Sequence, residues 1–335
     1  MEIFLDHASG SFLKPKAKTA MLNAFDSWAN PSSNHYLGKQ NQKHFNKLTE
    51  TFREKCNIDP NSAIVFLSGV SEGNALVYNS SRLPILKSEY EHASNKLNPK
   101  GEVFSFEDLS NIASPHLVSC LSVHNETGLR FDLTPFHDVL KANKCEIHID
   151  AAQEKNIDFK ASKADYMVVS SNKMGGPIGI AAVVSKPNLT PFIFGKQQFG
   201  FRGGTQALPL IAGFVEAIED NSEHYKKLND YLKTKIDSKY FLETHVKNER
   251  FVDYIVCMVF DFSASELIAF LDMNDIYVSA GSACDSGAMD GIKAVEKYGF
   301  HKSCAIRVSF GWNTSIADLD FFASKFNQFL LKRTL

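Results

Sequence analysis

The chain has 335 residues, a formal net charge of −2, 44% hydrophobic residues and 22% charged residues. That length is comfortable for two domains, and the near-neutral balance excludes general affinity for nucleic acid or for an anionic membrane. No apolar run approaches the ~18 residues needed to span a bilayer, and the opening "MEIFLDHASG" has neither a basic nor an apolar leader, so a cytoplasmic protein is expected.

Short apolar runs of strand type recur along the first two thirds: "SAIVFLSG" (62–69), "HLVSCLSVHN" (116–125), "CEIHIDAA" (145–152), "ADYMVVSS" (164–171) and "IGIAAVVS" (178–185). Near-continuous hydrophobicity marks strands buried on both faces. Helical segments such as "DLTPFHDVLKAN" (132–143) separate several of them, which predicts a mainly parallel sheet in an α/β domain. "LIAGFVEAIEDNSEHYKKLNDYLKTKI" (210–236) reads as one long helical stretch leading out of it. Then come a strand in "DYIVCMVFDF", a helix in "SASELIAFLDMND", strands in "IYVSAG" and "AIRVSFGW", and a last helix. That helix opens at Ser315 with Asp318 three residues on, close to a capping box, and Ile316, Leu319, Phe322, Phe326 and Phe329 give it one apolar face. The expected organisation is a large domain over 13–223 and a smaller α+β domain made of 1–12 and 224–335. The 27 phenylalanines are scattered through many segments and read as core. The six cysteines form no CxxC pair, which fits reduced thiols better than disulfides or a zinc site, so no metal is expected.

Polar residues cluster at the ends of the apolar runs. Asp150, in "HIDAAQ", is costly to bury without a positive partner. Lys173, in "SSNKMGGPIG", ends the next strand. Strand ends on one edge of a parallel sheet face the usual ligand crevice, and an acid with a lysine there suits pyridoxal phosphate, although solvated turn residues would look the same. In "LSGVSEGNALV" a strand gives way to a helix whose first N–H groups, with the Ser71 hydroxyl, could cradle a phosphate; a plain N-capping serine is the alternative. "YEHAS" supplies His92, "SVHNETG" supplies Asn125, and "GFRGGTQALP" supplies Arg202 and Thr205 in a Gly-rich loop. "SAGSACDSGAMDG" places Cys284 among residues too small to pack a core: a turn cysteine, or a thiol meant to react.

The order of "LDHASGSFLKP", "NPSSNHYLG", "SGVSEGN", "EH", "NETG", "HIDAAQ", "SNKMGGPIG", "FRGGT", "GSACDSG" and "IRVSFGWNT" resembles that of the cysteine desulfurases, in the class V aminotransferase branch of the fold-type I pyridoxal phosphate enzymes. The resemblance runs from about residue 3 to 325. It implies that Lys173 binds the cofactor covalently, that Asp150 meets the pyridinium nitrogen, that Gln153 contacts the phenolic oxygen and that His92 stacks on the ring. Asn125 would neighbour cofactor and substrate, with Asn30 also on the substrate side. Val70, Ser71, Ser170 and Asn172 would surround the phosphate, and Thr205 would complete it across a homodimer interface. Arg307 would grip the substrate carboxylate, a task suited to a planar fork, and Cys284 would take sulfur from L-cysteine as a persulfide, leaving L-alanine. A sulfur-acceptor protein is then implied, in iron–sulfur cluster assembly or tRNA thiolation. Cys304 is expected to be structural.

The sequence departs from the family pattern in places. Asn172 stands where histidine is usual before the lysine, and His7 replaces asparagine in the opening motif. The stretch between His92 and Asn125 is short, and the chain stops soon after the last helix. Another class V enzyme, an aminotransferase or a selenocysteine lyase, and a non-catalytic binding relative remain the alternatives.

Overall fold

The computed structural model describes residues 2–186, 189–281 and 291–333. Two compact units are present. One comprises Leu13–Ser122 and Phe131–Asp220, the other Met1–Phe12, Val123–Arg130 and Asn221–Leu335. Val123–Arg130 thus leaves the larger unit because Leu129 pairs with Phe251, an antiparallel contact between distant segments.

Among its described residues the larger unit is built on a seven-stranded sheet. The strand order is Ala63–Leu67, Ala181–Ser185, Tyr166–Ser170, Glu146–Ala151, Leu117–Leu121, Ile85–Ser88 and Glu102–Phe104. Ala181–Ser185 runs antiparallel to both its neighbours, and the other pairings are parallel. The three strands of the 164–185 and 117–121 region that read as continuous apolar runs are buried at every position, as two-sided coverage requires. Gly73, in the helix Val70–Ser80, shows how close that cover lies: a Cβ there would meet Val168 Cγ1 at 2.6 Å. Phe52, Phe66 and Phe214 meet edge to face within the unit's main apolar cluster.

The segment expected as one helix over 210–236 is two, Leu208–Ala217 and Ser222–Lys235. The break has a tertiary cause. Lys14 Nζ donates to the Ala217 carbonyl at 2.9 Å, and Lys55 Nζ donates to those of Val215 and Ile218 at 2.9 and 3.3 Å. Two cations on the last carbonyls complete a helix C-terminus. The 132–143 segment holds only a short α-helix, His137–Ala142, after a 3₁₀ turn.

In the smaller unit Ile255–Val259 pairs antiparallel with Ala305–Ser309, and Ile3–Phe4 pairs parallel with Ile276–Tyr277. Ser315 and Asp318 exchange hydrogen bonds at the start of the helix Ile316–Arg333, whose Leu319, Phe322 and Phe326 are buried. The phenylalanines are not all core: Phe12, Phe25, Phe192, Phe194, Phe199 and Phe321 are exposed.

Candidate functional site

Sheet register gathers most of the expected residues at one edge. Leu67, Ala181 and Ser170 are aligned across three strands, as are Ala151 with Val169 and Leu121 with Asp150. The chain leaves that edge at Ser68, Ser171, Ala152 and Ser122, and Ile85–Ser88 ends just before His92. Ser71, Lys173, Gln153 and His92 are therefore delivered together by topology, the arrangement in which α/β sheets bind ligands.

Asp150 is buried, and both carboxylate oxygens are served: Asn74 Nδ2 donates to Oδ2 at 2.7 Å and the Ala152 amide to Oδ1 at 2.9 Å. Asn74 Nδ2 also reaches Ser94 Oγ at 3.3 Å, and Ser94 Oγ lies 3.1 Å from His92 Nδ1. The Ser94 amide donates to the same Nδ1 at 3.2 Å, which makes Nδ1 the acceptor and leaves the proton of neutral His92 on Nε2. One asparagine thus ties the acid to the histidine. Sequence reasoning passed over Asn74, although it closes the "SEGN" motif.

Lys173 lies in the 3₁₀ turn Asn172–Met174. Its backbone carbonyl accepts a hydrogen bond from Lys155 Nζ, a second lysine that sequence reasoning missed two residues after Gln153. Burial, then the nearby Lys173 and Lys14 charges, push the Lys155 amine down to about 7. Ser170 Oγ donates to Asn172 Oδ1 at 2.7 Å, so the residue that replaces histidine is held against the strand end. Gln153 is buried.

At the start of the helix Val70–Ser80, Val70 is half-buried and Ser71 is exposed beside the free first-turn N–H groups. Glu72 holds this turn. Its Oε2 accepts from the Ser68 amide and hydroxyl at 2.7 and 2.5 Å, and its Oε1 from Arg202 Nε at 3.1 Å. Burial alone would raise the Glu72 carboxyl, but the Ser68 and Arg202 bonds outweigh it and hold the group below its ordinary value. Arg202 thereby joins this turn to the loop bearing Thr205, whose Oγ1 is 3.4 Å from Asn30 Nδ2.

The smaller unit carries a second set. Arg307 is buried on the strand Ala305–Ser309; its Nη2 pairs with Asp6 Oδ1 at 2.6 Å and its Nη1 donates to the Asn125 carbonyl at 2.6 Å. Arg307 Nε has no hydrogen-bond partner among the described residues. Asn125 and Arg307 therefore belong together, with Asn125 contributing its backbone to the arginine. Asp6, which opens "DHASG", was not foreseen. His7 is buried beside it, packed against Phe4 and Phe12, and Gly311 is required there because any Cβ would overlap the imidazole.

Cys284 lies outside the described residues. Before it in the chain, Ser279 and Arg307 exchange backbone hydrogen bonds at 3.1 and 2.7 Å. Gly281 and Gly291 both adopt positive φ, and a Cβ on Gly281 would lie 2.7 Å from the Gly291 carbonyl. Of the other thiols, Cys56, Cys120, Cys145 and Cys257 are buried and Cys304 is half-buried. Burial pushes Cys56 up to about 12 and raises Cys120, Cys145 and Cys257 as well, so none of these four is a ready thiolate at neutral pH. No group of His, Cys, Asp and Glu among the described residues could hold a metal ion.

The sequence matches the aminotransferase class-V family over residues 3–101 and 93–322. It is 29% identical over 372 aligned positions to a mitochondrial cysteine desulfurase of Candida albicans, covering 97% of this chain and 76% of that one. It is 28% identical to the cysteine desulfurase IscS of Shewanella loihica, covering 96% and 90%. The fold is similar to that of a NifS-like protein from Rickettsia africae, with a TM-score of 0.85, 25% identity, and 98% and 99% of the two chains covered. A cysteine desulfurase from Thermococcus onnurineus shares the fold at a TM-score of 0.79 and 19% identity, covering 98% and 94%.

Proposed function

The chain belongs to the aminotransferase class-V family, and on that premise we propose that it is a pyridoxal 5′-phosphate-dependent cysteine desulfurase. Family members depend on this cofactor, and the donor set fits it. A buried carboxylate with a donor on each oxygen suits a protonated pyridine nitrogen, a lysine stands one strand away, and a helix N-terminus with an exposed serine suits a phosphate. When bound, the cofactor supplies an electrophilic carbon and an electron-accepting ring.

The chain's own residues would do the rest. Lys173 holds the cofactor covalently, and Asp150 holds the ring-nitrogen proton. Gln153, His92, Asn172, Ser170, Ser71 and Val70 orient ring and phosphate. Arg307 receives the substrate carboxylate, with Asn125 and Asn30 at the substrate side. The Cys284 thiol takes the sulfur of L-cysteine: its S–H is exchanged for S–S–H and the amino acid leaves as L-alanine, so the atoms balance without an external oxidant. The high pKa of the four buried thiols leaves Cys284 and the half-buried Cys304 as candidates, and only Cys284 lies among small residues. The persulfide then passes to an acceptor protein.

The functional unit in this reading is a homodimer, with Thr205 completing the site of the second copy. Phe194 and Phe199, on the loop that leads to Thr205, are 84% and 93% exposed, and Trp28 is 79% exposed; apolar surface of this kind is suited to burial against a partner. No helix among the described residues is long and apolar enough to cross a membrane, and the five free cysteines among those residues fit the reducing cytoplasm.

The observation that carries the reading is the Asn74-held Asp150 carboxylate at the same sheet edge as Lys173. The test is incubation of the purified, cofactor-loaded protein with L-cysteine and identification of the carbon product. Alanine in equal amount to transferred sulfur is expected; pyruvate, or a keto acid with the cofactor left in its amine form, would reject it.

A further inference from the structure

The larger unit also contains a fully buried chain of polar side chains that the reaction above does not use. Glu91 is 1% exposed, and Ser119 and His148 are 0% exposed. Ser119 Oγ lies 2.8 Å from Glu91 Oε1 and 2.9 Å from His148 Nδ1. Tyr78 Oη donates to Ser119 Oγ at 2.9 Å, and Asn95 Nδ2 donates to Glu91 Oε2 at 2.9 Å. Ser119 and His148 are register partners on parallel strands, so they stand on one face of the sheet, and Asp150, two residues beyond His148, stands on that face too. Glu91 immediately precedes His92. His148 Nε2 has no hydrogen-bond partner among the described residues. An acid and an imidazole are costly to bury, and apolar residues would fill the same space more cheaply.

We propose that Glu91, Ser119 and His148 form a proton relay beneath the cofactor site, in which Glu91 titrates and His148, as a positioning residue, passes that change toward Asp150 by switching its tautomer. With Glu91 protonated, its O–H donates to Ser119 Oγ, the Ser119 O–H donates to His148 Nδ1, and the imidazole proton is on Nε2. With Glu91 ionised, the Ser119 O–H turns to the carboxylate, and His148 carries its proton on Nδ1 and donates to Ser119. Nε2 is then bare. The two states differ by one proton, and Ser119 donates once and accepts twice in both, since Tyr78 donates to it throughout.

Burial, with the surrounding hydrogen bonds and charges, places the switch in the neutral range. Burial first, and then the Asp150 charge, push Glu91 up to about 7 against the bonds from Asn95 and Ser119 and the charge of Lys96. Tyr78 and Cys120 also face this cluster, and burial keeps both protonated. Lys87, in register with Ser119, donates its Nζ protons to the carbonyls of Asn95, Lys96 and Asn98. Burial pushes His148 down to about 4, against the pull of Asp150, so the imidazole changes tautomer without gaining charge.

The relay is a property of the folded chain; only its effect on the ring nitrogen rests on the pyridoxal phosphate reading. The test is ¹⁵N NMR of the full-length protein labelled at histidine, from pH 5.5 to 8.5, with the His148 signals identified by their loss in His148→Gln. The parent should show its protonated ring nitrogen change from Nε2 to Nδ1 with a midpoint near neutrality. Glu91→Gln should show one tautomer throughout. Ser119→Ala, which leaves both end groups in place, should also lose the step. A single tautomer over the whole range in the parent, or a step that survives in both Glu91→Gln and Ser119→Ala, would overturn the relay. A step in a protein that binds no cofactor would uphold the relay and overturn the cofactor reading alone.

Discussion

Replacing Glu91 by Gln should change how stability depends on pH, by an amount the structure sets. Burial raises the Glu91 carboxyl from 4.5 to about 7. A raised acid contributes stability that is fully present below the unfolded value and is lost as pH rises through the folded one, here between 4.5 and about 7. At about 1.4 kcal/mol per unit, the loss is about 3 kcal/mol. His148 acts in the opposite sense: lowered from 6.5 to about 4, its contribution is present above 6.5 and lost as pH falls toward 4. Between those limits the unfolded chain carries one proton on His148 and the folded chain carries one on Glu91. The two slopes cancel, and this pair leaves the parent's stability nearly flat from pH 4.5 to 6.5. The Gln variant removes one side of the balance. Its stability relative to the parent should rise by about 3 kcal/mol between pH 4.5 and 7. Urea unfolding of both proteins at half-unit pH intervals reads this directly. A parent–variant difference constant across that range would show that Glu91 does not hold its proton in the folded state, and the reasoning would fail.

The remaining predictions concern the two sets of site residues and the sheet that carries one of them. Asn74→Ala removes the donor to Asp150 Oδ2, a bond to a charged group worth about 1.5–3 kcal/mol; cofactor affinity, measured by titration of the visible absorbance, should fall ~10- to 100-fold. Arg307→Lys loses the planar fork, so KM for L-cysteine should rise ~10-fold or more with a smaller change in kcat, as steady-state kinetics would show. Gly73→Ala would place a Cβ 2.6 Å from Val168 Cγ1 and 3.0 Å from Val183 Cγ2 and should cost about 1–3 kcal/mol in urea unfolding, since both valines are fully buried.

Much of this was legible in the sequence because strands buried on both faces announce themselves as unbroken apolar runs. "ADYMVVSS" and "IGIAAVVS" became Tyr166–Ser170 and Ala181–Ser185, and the polar residues that follow such runs mark the sheet edge. What stayed hidden depended on long-range contact. No Gly or Pro signals the helix end near Ala217, because side chains of Lys14 and Lys55, far away in sequence, supply the cap. Val123–Arg130 reads as part of the large domain over 13–223 until Leu129 is seen to pair with Phe251. Asn74, Ser119 and His148 were visible as polar residues inside apolar segments, but the network that joins them depends on strand register, which a single sequence does not contain.

In the proposed reaction the chain moves sulfur from L-cysteine onto Cys284. The direct measurement is a single turnover with L-cysteine, comparing the parent with Cys284→Ser and Cys304→Ser, with alanine quantified and persulfide mapped by mass spectrometry. One alanine per site, with the persulfide on Cys284, is expected in the parent and in Cys304→Ser, and almost no alanine from Cys284→Ser although it still binds the cofactor and L-cysteine. A Cys284→Ser protein that forms alanine at the parental rate would contradict it.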